Sequence, residues 1–87
     1  MKVKLLKNLV KQDGPIHYRR NYTAVAELVL ANDSPRDARV AFTIEQSPLG
    51  SFEITVSLED RLDYPSLPVI QALKSHIQRM QRDGELR

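Results

Sequence analysis

The chain of 87 residues has no cysteine and no tryptophan, only three glycines and two histidines, and no apolar run longer than Leu28-Val29-Leu30-Ala31. Without cysteine there is no disulfide framework, no thiolate nucleophile and no cysteine-ligated zinc, so nothing points to an oxidising compartment and the expected location is the cytoplasm. A four-residue apolar run is far short of the roughly 20 residues that span a bilayer. Met1 to Val10 intersperses lysines with apolar residues and lacks the apolar core and cleavage site of a signal peptide. Neither export nor membrane insertion is expected. Gly14, Gly50 and Gly84 each suit a turn or a helix end, which leaves none for a loop that cradles phosphate. His17 and His76 stand in no HExxH or HxH spacing, and GxSxG is absent. The inventory therefore reads as non-enzymatic, with no metal and no cofactor.

What is present is charge, unevenly spread. Residues 1–20 hold six basic residues against Asp13 alone. Residues 21–66 hold three arginines against eight acids, and residues 67–87 hold four basic residues against Asp83 and Glu85. A basic end can face an anionic partner, or the segments can be strands that attract each other within one sheet.

A length of 87 residues suits a single domain, residues 1–87, with a thin core: one sheet covered on one face by one helix. Lys2-Val3-Lys4-Leu5 alternates like a strand, while Leu5, Leu6, Leu9 and Val10 recur like a helix face; the strand is preferred. Asp13-Gly14-Pro15 marks a turn. A second strand runs from about Ile16 to Ala31 with Ala24, Ala26, Leu28 and Leu30 on one face, although residues 23–31 also suit a short helix. Asn32 to Asp37 is a polar turn around Pro35.

Residues 38–46 and 52–58 alternate on either side of Ser47-Pro48-Leu49-Gly50-Ser51, which predicts a hairpin. Val40, Phe42, Ile44, Phe52, Ile54, Val56 and Leu58 should face the helix, and Arg39, Thr43, Glu45, Glu53, Thr55 and Ser57 should face water or a partner. Ile70, Leu73, Ile77 and Met80 recur at helical spacing, so an amphipathic helix should span Ser66 to Asp83. Ser66 should cap it, Pro68 should sit in its first turn, and Gly84 should close it. Arg79 and Arg82 suit its negative end, and the acids Glu59, Asp60 and Asp63 suit its positive one. The expected class is thus α+β: a small antiparallel meander of about four strands with one C-terminal amphipathic helix on one face.

His17-Tyr18-Arg19-Arg20-Asn21-Tyr22 interleaves basic and aromatic side chains, the composition that grips phosphates and stacks on bases. With Lys2, Lys4, Lys7 and Lys11 it forms the candidate partner surface: Lys2, Lys4, Lys7, Lys11, His17, Tyr18, Arg19, Arg20 and Tyr22. His76, beside the apolar stripe, reads as a helix-flank residue. Arg19-Arg20 followed by Asn32-x-Ser34-x-x-Asp37 is similar to the arginine and Asn/Asp-x-Ser-x-x-Gly elements of PilZ-type cyclic-dinucleotide domains. Asp37 stands where that motif closes on glycine and the gap is short, so the resemblance assigns neither fold nor ligand. The expectation is a small accessory or adaptor protein that binds protein and pairs with itself through an edge strand or the exposed sheet face. The competing reading is a nucleic-acid-binding regulator that uses the basic N-terminal surface.

Overall fold

The computed structural model describes residues 1–12, 14 and 18–86. Four antiparallel strands, β1 (Lys2–Gln12), β2 (Arg19–Val29), β3 (Pro35–Gln46) and β4 (Phe52–Leu58), lie in sequence order in one open sheet, and α1 (Ser66–Arg82) packs on one face. No described helix is long and apolar enough to cross a membrane.

The period-two pattern sets the faces. Tyr22, Ala24, Ala26 and Leu28 of β2, Ala38, Val40, Phe42 and Ile44 of β3, and Ile54 and Val56 of β4 are buried beneath α1. Register holds them in rows: Tyr22 opposes Phe42, which opposes Val56, and Ala24 opposes Val40, which opposes Leu58. Burying each large apolar side chain is worth roughly 1.5–3 kcal/mol. Residues 23–31 do not form a helix; β2 ends at Val29, and one 3-10 turn at Ala31–Asp33 leads into β3 at Pro35, earlier than the hairpin pattern predicts. The start expected near Ile16, the Asp13-Gly14-Pro15 turn and His17 lie outside the described residues, apart from Gly14 itself.

Strand β1 resolves the ambiguity at the N-terminus through two bulges. Lys4 is an extra residue between the pairs Val3–Leu28 and Leu5–Glu27, and Asn8 and Leu9 together oppose one residue between the pairs Lys7–Val25 and Val10–Thr23. Each bulge shifts parity, so Val3 and Leu6, three apart as on a helix, both turn towards the core from an extended strand. Asn8 has φ +54°, a left-handed conformation that asparagine tolerates better than most residues.

The helix departs from expectation at its start. Pro65, with φ −56° and ψ 131°, takes the capping position, so Ser66 is already helical and makes no side-chain cap. A capping side chain must stand on the residue just outside the first turn. The buried stripe is Val69, Leu73 and Ile77, with Ile70 and Met80 on its flanks. At the other end Gly84 has φ +75°; its N–H bonds the Gln81 carbonyl, and the Glu85 N–H bonds the Met80 carbonyl. This pair of bonds ends the helix and returns Leu86 to the core. Phe52, expected inside, sits at the start of β4 and is 45% exposed.

Candidate interaction surface

Directly opposed residues in antiparallel strands share a face, so the register sorts every candidate side chain. Lys2, Lys7 and Arg19 lie on the uncovered face, opposite Val29, Val25 and Glu45. Arg20 and Lys11 lie on the helix side, opposite Ile44 and Tyr22, and Lys4 sits in the first bulge. The basic residues are therefore split between the two faces and do not make one patch.

Several are also committed internally. The Lys7 ammonium pairs with Glu27 at 3.3 Å and Asp37 at 2.8 Å, and these hydrogen-bonded carboxylates, Asp37 foremost, hold it above its ordinary pKa. Arg19 pairs with Glu45 at 3.2 Å. Arg20 donates to the Gln81 side-chain oxygen at 2.8 Å and to the Tyr22 hydroxyl at 3.2 Å, tying β2 to α1. Tyr22 is 2% exposed, its ring stacked on Phe42 with centroids 4.9 Å apart. It is a core residue and not a stacking platform for bases; the signal was its parity with Ala24, Ala26 and Leu28. Tyr18 is 56% exposed, and its carbonyl accepts the Gln46 N–H. Arg19 and Arg20 stand at the start of β2 and Asn32 and Ser34 beyond its end, about 30 Å of extended strand apart. The residues of the cyclic-dinucleotide resemblance do not converge.

The expected acidic cluster is also redistributed. Asp60 binds Arg39 of the uncovered face through both the backbone N–H and the guanidinium. The guanidinium and then the backbone N–H hold the Asp60 carboxyl below its usual range, and Asp60 in turn raises Arg39. Asp60 thus anchors the β4–α1 connection to the sheet; it does not serve the positive end of the helix. Among the described residues, no group of three or more histidines and carboxylates is placed to hold a metal.

On the uncovered face the ion pairs occupy the ends, and the middle is uncharged. Gln12, Asn21, Thr43 and Thr55 form one row across the four strands, and Val10, Thr23, Ala41 and Ser57 the next. A shallow depression of about 270 Å³ beside these rows is lined by Asn8, Thr23, Val25, Arg39 and Glu59, among others. Val10 and Leu5 are 53% and 41% exposed there. Asn8, whose bulge rotates Val10 onto this face, was missed in the sequence reading; the change of apolar parity between Leu6 and Leu9 is the available signal.

The fold and this surface define a small α+β domain with one sheet face left uncovered. The chain belongs to the BB_0187 family, whose model matches residues 1–82. No curated protein and no solved structure matches it.

Proposed function

We propose that this is a small non-enzymatic accessory protein of the cytoplasm that works by binding protein, self-association included, and that the uncovered sheet face receives its partner. The observation that carries this reading is the distribution of charge on that face. Lys7, Arg19 and Arg39 are paired with Glu27, Asp37, Glu45 and Asp60 around the two uncharged rows. An uncharged centre with a charged rim is the composition of protein–protein interfaces. A phosphate-binding surface needs the opposite, unpaired cations gathered on one side.

The test is a comparison of variants in affinity capture. Thr23→Lys puts a charge in the middle of the face and should abolish capture of a specific protein partner, while Lys4→Gln should retain it. The nucleic-acid reading keeps Lys2, Lys4, Lys11 and Tyr18 as its residues. It predicts binding to a single-stranded oligonucleotide that weakens steeply with salt and is lost in Lys4→Gln. Salt-dependent oligonucleotide binding indifferent to Thr23→Lys would replace the first proposal with the second.

A further inference from the structure

The two edges of the sheet are built differently, and the difference points to the one that self-associates. Edge strand β1 carries Lys2, Lys4, Lys7 and Lys11 with no acid, and its ladder is interrupted twice by bulges. Two copies of β1 would bring lysine against lysine across broken ladders, the devices by which sheets protect their edges. Edge strand β4 has neither protection: Phe52-Glu53-Ile54-Thr55-Val56-Ser57-Leu58 contains no lysine and no proline, pairs with β3 in unbroken register, and bears one charge.

The hydrogen bonds fix which main-chain groups β4 presents. At its two ends the ladder with β3 closes through Ser47 N–H to the Ser51 carbonyl and Glu59 N–H to the Arg39 carbonyl. Both belong to the odd-numbered pairs of the register, so Glu53, Thr55 and Ser57 exchange bonds with β3. Phe52, Ile54, Val56 and Leu58 therefore turn their N–H and C=O groups to the outer edge.

We propose that a second copy of this chain pairs there, β4 against β4, antiparallel about a two-fold axis at Thr55, to give one continuous sheet of eight strands. This rests on the self-association proposed above and leaves the centre of the uncovered face for another protein. In this register 54 pairs with 56 and 52 with 58, so every outward group of the strand gains a partner. Phe52 meets Leu58 and Ile54 meets Val56 on the helix side, which covers the exposed Phe52 ring with apolar surface. On the other side Thr55 meets Thr55, and Glu53 meets Ser57, so the single charge never faces itself.

The absence of cysteine makes the register directly readable. Thr55 at the axis would be a non-hydrogen-bonded pair, with Cα atoms about 4.5 Å apart, within disulfide reach. Thr55→Cys, oxidised at micromolar concentration, should convert almost wholly to a covalent species of twice the 10.0 kDa chain mass. Ser57→Cys should stay uncrosslinked alone and crosslink when mixed with Glu53→Cys; circular dichroism should show each variant folded. A wild-type dimer in sedimentation whose folded Thr55→Cys variant does not crosslink would overturn the β4 axis and leave self-association standing. A wild-type monomer would overturn both, while partner capture sensitive to Thr23→Lys would still support binding through the sheet face.

Discussion

Asp60 accepts three hydrogen bonds from Arg39: the backbone N–H to Oδ2 at 2.7 Å, and Nε and Nη2 to Oδ1 at 3.0 and 2.7 Å. The carboxylate takes the next ladder position on β3 after the last β4 pair, Val40 with Leu58. A side chain thus finishes what the strand's backbone leaves open.

That substitution of carboxylate for backbone predicts an acid-sensitive seam. The Asp60 carboxyl titrates below its ordinary value of 3.8 because Arg39 stabilises the charged form. Its contribution is therefore complete above the ordinary value and is lost as pH falls through the lower folded value. Asp60→Asn should lower the thermal midpoint at pH 7 and flatten its dependence on pH below 4. The amide of Arg39 should exchange faster in the variant, and unchanged exchange would refute the link.

Tyr22 separates the core from the candidate surface. Tyr22→Ala removes a buried ring stacked on Phe42 and should cost about 3–5 kcal/mol in denaturant unfolding. Tyr22→Phe keeps the stack and should cost about 0.5–1.5 kcal/mol for the lost hydroxyl bond from Arg20. Equal losses in the two variants would contradict the stacked arrangement.

Asn8 tests the second bulge of β1. At φ +54°, Asn8→Val forces a β-branched residue into a left-handed conformation and should cost about 1–2 kcal/mol, whereas Asn8→Gly should be tolerated. A regular strand without the bulge would give the reverse order, because valine favours extended backbone.

His76 supplies a second pH dependence. Partial burial and then the Arg79 guanidinium hold its imidazole below the ordinary value of 6.5, and Arg79 donates to Nδ1 at 3.1 Å. The folded protein favours the neutral ring, so the stability present above pH 6.5 falls as pH drops through the folded pKa. An NMR titration should place the His76 midpoint below 6.5. His76→Gln should remove this part of the acid loss without touching the part carried by Asp60.

The hairpin and the helix were legible because their apolar periods, two and near four, run unbroken through Val40–Ile44, Ile54–Val56 and Leu73–Ile77. Strand β1 was ambiguous for a physical reason: two bulges reset its parity, and the sum of broken alternations imitates a helix period. The candidate surface was the least legible part. Basic and aromatic composition says nothing of facing, and Arg20 and Tyr22 share a side of β2 that Arg19 and Asn21 do not. The Asp60–Arg39 contact joins residues 21 apart through a connection whose path no local pattern encodes.

The meander order of the sheet carries a kinetic consequence. Every strand pairs with its neighbour in sequence, so each ladder closes a short loop, and assembly can proceed hairpin by hairpin with little entropy lost at each closure. The β3–β4 turn, with Gly50 at φ +89° and the Ser47 hydroxyl bonded by the Leu49 and Ser51 amides, is the natural starting point. The long-range closure is that of α1 onto β1, which joins the two ends of the chain. Interrupted by its bulges and tied down last, β1 is the segment that opens first in the folded molecule, exchanging its amides at a free-energy cost well below that of global unfolding.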